Sequence, residues 1–205
     1  MQKASKYVIF ETNWGYFGLA GTRAGLRRTC LPGPRPAGVR ARLLEDLPEA
    51  EFDADFFKTL QEQIAAYFEG ECVDFGMDVP LLLDGFSPFF RKVLAACRDV
   101  KIGQTATYSE LAERGGSPGA GRAAGSVMAA NPLPLMIPCH RIIRSDGRMG
   151  GFTAPGGIPL KKRMLELERR ACSHLHAGGS WDPGVSAVST DSRPFDLAQS
   201  LLPLH

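Results

Sequence analysis

The chain of 205 residues is 44% apolar and carries a formal net charge of +2, enough for one ordinary domain or two small ones around a sizeable core. No window approaches the ~18 uninterrupted apolar residues of a membrane span, and Met1 to Glu11 meets an acid before any signal-like apolar core develops, so a cytoplasmic protein without membrane attachment is expected, nuclear if eukaryotic. Five cysteines at 30, 72, 97, 139 and 172 are odd in number, widely spaced and free of C-x-x-C, which argues against a disulfide framework or a zinc ribbon and for a reducing compartment.

Tyr7 to Thr12 and Tyr16 to Gly21 read as short strands around Asn13-Trp14-Gly15, with Gly25 to Cys30 a third strand of an antiparallel meander. Leu31-Pro32-Gly33-Pro34-Arg35-Pro36 breaks the pattern. Val39 to Leu44 and Asp55 to Glu69 then read as helices. The second carries Phe56, Phe57, Leu60, Ile64, Tyr67 and Phe68 at helical spacing, an aromatic stripe expected to be core rather than binding site. Val79 to Leu83 is a short apolar segment, and Asp84-Gly85-Phe86-Ser87-Pro88 marks the boundary of a second unit, with Ser87 capping a helix and Pro88 at its first position.

In that unit Phe89, Val93, Leu94 and Cys97 share one face of the helix Pro88 to Cys97. Another helix starts at Thr107 or Tyr108 and stops at Gly115-Gly116. A third, Gly119 to Ala130, is written almost wholly in Gly, Ala and Ser; two short helices joined by a glycine-rich turn outline a helix-turn-helix. Each internal glycine costs up to ~1 kcal/mol relative to alanine, which implies close approach either to DNA, with Arg122 as an inserted probe, or to another helix. Charge is uneven: six acids and no base lie between Glu45 and Asp55, whereas Gly119 to Arg170 holds nine bases against three acids. Clustered bases suit a polyanion, although solvated helix faces are the simpler reading.

The segment Asn131-Pro132-Leu133-Pro134-Leu135-Met136-Ile137-Pro138 contains three prolines, which exclude a regular central strand. It is expected to be a fixed, extended, mostly buried arm delivering Cys139. Burial alone raises a thiol above its free pKa of ~8.5 and leaves it inert, so a reactive Cys139 needs a base or a positive neighbour. His140, the only histidine of the first 173 residues, and Arg141 follow directly. Adjacent side chains on extended backbone point apart, so His140 is expected to reach the thiol through a water.

Pro138-Cys139-His140-Arg141, preceded by Asn131-Pro132 and followed by Ile142-Ile143, resembles the signature of the O6-alkylguanine-DNA alkyltransferases, or methylated-DNA protein-cysteine methyltransferases. The resemblance runs in order from about Phe86 to Ala171, through Ile102 to Ala112, Arg122-Ala123-Ala124-Gly125, the cysteine motif, Gly150-Gly151-Phe152 and Lys161 to Glu168. Residues 1–85 match only in outline, and the tail after Cys172 is not covered. The resemblance implies an α/β N-terminal domain over 1–85, ribonuclease-H-like with an antiparallel sheet plus helices. It implies a mainly α, helix-turn-helix, winged-helix-like DNA-binding domain over 86–172; a disordered tail is expected over 173–205.

By that resemblance Cys139 accepts the alkyl group from O6-alkylguanine once and irreversibly, with no cofactor and no metal, in a monomer bound to double-stranded DNA. His140 is the implied base acting through a water, Glu168 the carboxylate fixing its tautomer, and Tyr108 the donor to the guanine ring as charge develops. The nucleotide must be flipped out. Arg122 is implied to fill the gap, while Ala123 and Gly125 belong to the small-residue face in the minor groove. Asn131 ties the helix-turn-helix to the arm, Thr153 stands near O6, Phe152 stacks on the flipped base, the carbonyls of Cys139 and Ile142 accept from the guanine amino group, and Arg141 joins the DNA-binding set.

Where the family often reads Tyr-Ser-Gly-Gly, this chain has the slightly longer Phe152-Thr153-Ala154-Pro155-Gly156-Gly157, which opens the question of alkyl size and of O4-alkylthymine. With histidines only at 140, 174, 176 and 205, no zinc site of Cys and His ligands can be assembled from residues 1–85. Lys161-Lys162-Arg163 reads as a helix face near DNA phosphates rather than a nuclear signal, and His174 and His176 as an incidental pair rather than a metal site. Two other readings compete: a non-catalytic lesion binder, which would lack the acceptor cysteine, and a cysteine hydrolase, which would need an oxyanion hole and a histidine in direct reach of the thiol.

Overall fold

The chain first turns back on itself at Thr12, whose hydroxyl donates to the Gly15 carbonyl at 2.7 Å and accepts the Trp14 amide at 3.2 Å. That closure pairs β1 (Lys6–Thr12) antiparallel with β2 (Gly15–Thr22), and β3 (Gly25–Gly33) completes the meander. Gly15 sits at φ 114°, and a Cβ there would lie 2.6 Å from the Gly33 carbonyl oxygen, so a larger residue would force strands apart. The computed structural model describes residues 4–75 and 78–173; the expectations for His174, His176 and the tail lie outside them.

A fourth strand, β4 (Glu51–Phe52), pairs parallel with β1 and gives the sheet order β3-β2-β1-β4. It lies inside the acidic run and escapes sequence patterning because it is two residues long. The Glu51 and Asp53 amides hold it, donating to Ser5 and Tyr7 carbonyls at 2.9 Å each, together with a Lys6–Asp53 ion pair. β3 also runs on through Leu31-Pro32-Gly33, past the expected stop, because it is an edge strand and Pro32 deprives no neighbour of a ladder partner.

Two helices cover the sheet. α1 (Pro36–Leu43) starts earlier than the expected Val39 because Pro36 suits a first helical turn, and Val39 and Leu43 cluster with Tyr7, Ala20 and Cys30. α2 (Lys58–Glu69) starts three residues later than expected, since Phe57 is left-handed at φ 53°. Leu60, Ile64, Tyr67 and Phe68 of α2 are buried with Phe17 and Leu19 of the sheet. Full burial of side chains of this size contributes about 1.5–3 kcal/mol each.

The C-terminal half starts at α3 (Pro88–Arg98), where the Ser87 hydroxyl accepts the Phe90 amide at 3.2 Å. α4 (Tyr108–Arg114) begins at a capping box in which the Thr107 hydroxyl accepts the Glu110 amide and the Glu110 carboxylate accepts the Thr107 amide. It ends with Gly116 at φ 76°, the Ser117 amide donating to Ala112 and the Gly116 amide to Glu113, both at 2.8 Å. α5 (Gly121–Ala129) packs on α4 to complete the helix-turn-helix, two residues shorter at its start and one at its end than the sequence reading. A two-stranded parallel sheet of β5 (Ala106–Thr107) and β6 (Ile142–Ile143), and the long α6 (Gly157–Ala171), enclose the rest. One continuous core runs through both halves, from Phe17 and Tyr67 to Cys97, Ile137 and Met164.

Two expectations are corrected. The proline-rich arm is not extended: the Ile137 amide donates back to the Leu133 carbonyl at 2.8 Å, and Leu135 stands at φ 78°, so the segment is a buried turn. Such a conformation costs a non-glycine residue about 1–3 kcal/mol, offset here by burial of Leu133, Leu135, Met136 and Ile137. The cysteines are also not all free thiols. Cys72 and Cys172 form a disulfide across 100 residues, a pairing no spacing rule could suggest because only the fold brings the ends of α2 and α6 together. Among the described residues no helix is long and apolar enough to cross a membrane.

Candidate active site

Cys139 opens a short 3-10 turn, Cys139–Arg141, directly after the buried turn; the residue is 8% exposed and lines a cavity of about 640 Å3. The cavity lies between the start of α4, the face of α5 and the loop 144–153; Tyr108, Arg122, Gly125, Met128, Phe152 and Thr153 line it. Asn131 fixes the approach, its amide donating to the Ile137 carbonyl at 2.8 Å while its oxygen accepts the Leu133 amide at 3.0 Å.

Behind the thiol is a fully enclosed charge cluster. His140 Nε2 lies 2.7 Å from Glu168 Oε1, and the two side chains are 1% and 0% exposed. Arg141 grips the same carboxylate, Nη2 donating to Oε1 at 2.8 Å and Nε to Oε2 at 3.0 Å, while Nη1 donates to the Val100 carbonyl at 2.7 Å. Tyr67 of α2 donates its hydroxyl to Oε1 at 3.0 Å. Burial works against ionising Glu168, but His140 and Arg141 overcome it and hold the carboxyl far below the usual range.

An ionised Glu168 requires His140 to carry its proton on Nε2, which leaves Nδ1 unprotonated as an acceptor. Burial pushes the His140 pKa down, with Glu168 acting in the opposite sense. Burial likewise pushes the Cys139 thiol up, opposed by Asn131, the Lys161 charge and the local backbone amides. Both groups are therefore neutral at rest near pH 7: the thiol is not a standing thiolate, and forming one needs a proton transfer. Tyr108, raised by burial and then by Cys139 and Cys97, keeps its phenolic proton. Gly150 brings backbone against this phenol, since a Cβ there would fall 2.2 Å from the Tyr108 oxygen.

Several residues singled out from the sequence stand elsewhere. Arg141 is a correction: it is 4% exposed and committed to Glu168 and Val100, so no DNA phosphate can reach it. Lys161-Lys162-Arg163 is not one basic face. Lys161 is fully buried and its ammonium donates to the Ile142 carbonyl, Lys162 is exposed, and the Arg163 guanidinium stacks 3.7 Å from the Trp14 ring centre. The Ile142 carbonyl thus has one acceptor site filled, and Ile142 itself is fully buried. Thr153 is exposed and donates to the Ala129 carbonyl at 2.9 Å, fastening the loop to the end of α5. Arg122 and Ala123 are exposed on α5 while Ala124, Val127 and Met128 face inward.

Tyr67 and Lys161 reach the site unannounced by the sequence. Tyr67 belongs to the aromatic stripe assigned to the core, and Lys161 to the basic triplet assigned to the surface. A signal for the second was present: Lys161, Met164, Leu165 and Glu168 follow i, i+3, i+4, i+7 and form the buried face of α6. Among the described residues no group of three or more His, Cys, Asp or Glu could hold a metal ion.

Residues 88–170 match the family model described as 6-O-methylguanine DNA methyltransferase, DNA binding domain. The methylated-DNA protein-cysteine methyltransferase of Methanosarcina acetivorans is 34% identical over 163 residues, covering 79% of this chain and 97% of the relative. That of Methanothermobacter thermautotrophicus is 46% identical over 112 residues, 54% of this chain and 60% of its own length; the match to this and to some other relatives thus spans about three fifths of their length. The crystal structure of the Mycobacterium tuberculosis O6-methylguanine methyltransferase superposes with a TM-score of 0.66 at 33% identity, covering 82% of this chain and 94% of that one. The structure of Mycobacterium tuberculosis OGT in complex with DNA gives 0.65 at 32% identity over 80% of this chain and 92% of that one. With a buried cysteine-histidine-glutamate cluster behind a helix-turn-helix and relatives aligned over most of its length, this chain belongs to the methylated-DNA protein-cysteine methyltransferase family.

Proposed function

We propose that the protein repairs O6-alkylguanine in double-stranded DNA by moving the alkyl group onto Cys139, once per molecule. The observation that carries this reading is the thiol at the edge of an open cavity with His140 and Glu168 sealed behind it, 2.7 Å apart. The thiol proton passes, through a water, to His140 Nδ1, and Glu168 stabilises the imidazolium that results. The sulfur attacks the alkyl carbon, the carbon–O6 bond breaks, and its electron pair returns to the guanine, whose developing charge Tyr108 relieves by donating its phenolic proton. The product is a thioether and an unmodified base, so no step regenerates the thiol.

The exposed Arg122 and Ala123 on α5, with Gly125 beside the cavity, suit a face that enters the minor groove and fills the space left by a flipped nucleotide. Phe152 and Thr153 line the same cavity and are read as the wall against the base. Asn131 is read as the brace that keeps the cysteine turn in register with α5. The sheet order β3-β2-β1-β4, with β4 parallel to β1, supports a ribonuclease-H-like label for residues 1–85; the β5–β6 pair beside the helix-turn-helix supports a winged-helix-like label for 86–172. We read the protein as a monomer working where genomic DNA is, in the cytoplasm or, in a eukaryote, the nucleus.

Cys139→Ser tests the separation of chemistry from recognition. Transfer of a labelled methyl group from an O6-methylguanine duplex should be abolished, with affinity for that duplex within about twofold of the parent. Retained transfer, or a collapse of binding together with transfer, would refute the assignment.

A further inference from the structure

The carboxylate behind His140 has more donors than a simple histidine–glutamate pair needs. Glu168 Oε1 receives His140 Nε2 at 2.7 Å, Arg141 Nη2 at 2.8 Å and the Tyr67 hydroxyl at 3.0 Å. Oε2 receives Arg141 Nε at 3.0 Å and, at 3.5 Å, the Gly103 amide. Tyr67 comes from α2, 101 residues away in sequence and in the N-terminal half of the chain. It is 1% exposed, its ring tilted against Phe75 and edge-on to Phe68, so its hydroxyl has no freedom to turn away.

We propose that Tyr67 is a positioning residue of the alkyl-transfer site: by sharing Glu168 Oε1 with His140, its hydroxyl limits how strongly the carboxylate supports a proton on the imidazole. The inference rests on the reading of His140 as the base for Cys139. Its logic is a division of labour on one carboxylate. Arg141 fixes the plane of Glu168 by gripping both oxygens, so Tyr67 is not needed for orientation. What the hydroxyl changes is charge, because a donor on Oε1 withdraws electron density from the oxygen that faces His140. The direction of this bond is fixed. Burial, followed by the neighbouring Glu168 charge, pushes the Tyr67 pKa well above its usual value, so it remains the donor at every pH at which the protein works.

The other groups facing His140 stay constant in a Tyr67→Phe variant. They are Glu168 and Lys161 on α6 and Cys139 and Arg141 on its own turn; Cys97 of α3 lies close enough to Cys139, Arg141 and Lys161 to share their field but is a neutral thiol held high by burial. Phenylalanine keeps the ring and its packing and removes only the donor. Only the part of that hydrogen bond's free energy that differs between the neutral and the protonated imidazole shifts the pKa, and about half of a hydrogen bond to a charged group corresponds to about one pH unit, so the variant should hold its imidazolium more firmly by that amount.

The experiment follows the His140 ring signals by NMR against pH in the full chain, parent and Tyr67→Phe, beside the pH dependence of the methyl-transfer rate. The expected result is a His140 midpoint about one pH unit higher in the variant, with the acidic limb of the rate profile displaced by the same amount. Below that limb the variant should then be about tenfold slower. An unmoved His140 midpoint, or a rate lowered equally at all pH values, overturns the proposal, since a purely structural role would act in that way. If the midpoint moves while neither protein transfers methyl, the Tyr67 assignment stands and the reading of Cys139 as acceptor falls.

Discussion

At the residue scale, reactivity depends on charges removed from water. Cys139 and His140 are both held neutral by burial, while Glu168, pinned by Arg141, keeps its full charge beside them. Because the Glu168 pKa is depressed in the folded state, its contribution to stability is complete above the unfolded carboxylate value of ~4.3 and is lost as pH falls towards the folded value. Lys161 gives a pH dependence of the same sign in a higher window, although here it is the charged form that burial disfavours. Its pKa is brought down to about 8, chiefly by burial, so between about pH 8 and 10 the unfolded chain binds a proton that the folded one does not. Stability must therefore rise over that window relative to Lys161→Met, by up to about 3 kcal/mol if the whole shift is expressed. Paired urea titrations at pH 7.5 and 10 measure the difference; parallel behaviour of parent and variant would show that the ammonium is not held in a low-dielectric site. Of these residues Cys139 and His140 could be read directly from an adjacent motif, and Glu168 from its place in a longer pattern. Tyr67 and Arg141 could not be placed, because the sequence does not say which way a polar side chain turns once its neighbours are buried; Lys161 could have been, from its place on the apolar face of α6.

At the element scale, local signals proved reliable where they close within one turn. Ser87 with Pro88, and Thr107 with Glu110, start α3 and α4 where capping chemistry dictates. The second cap matters for function because Tyr108 is the first residue of α4, so the capping box sets the direction of its phenol. Thr107→Ala should lower stability by about 1 kcal/mol and slow methyl transfer severalfold, read from denaturant midpoints and single-turnover rates. Lost stability at an unchanged rate would mean that Gly150 alone keeps the phenol in place. Elements that depend on distant partners were harder to read. β4 exists only because β1 offers it an edge, and the proline-rich segment folds into a turn because four apolar side chains gain more from burial than Leu135 loses at φ 78°.

At the scale of the whole molecule, the N-terminal half is more than a neighbour of the C-terminal half. One core runs through both halves, Tyr67 reaches the carboxylate behind His140, and the Cys72–Cys172 disulfide closes the same seam five residues beyond Tyr67 and four beyond Glu168. These links join segments about 100 residues apart, beyond the reach of periodicity or spacing, which is why the seam between the two halves was not legible in the sequence. The proposed function nevertheless converges on one sulfur atom. The most direct test is the mass of the peptide containing Cys139 after incubation with a duplex bearing labelled O6-methylguanine. One methyl group per protein, on that peptide and with no further turnover, is the expected result; no gain in mass at Cys139, a methyl group on another residue, or repeated turnover would contradict it.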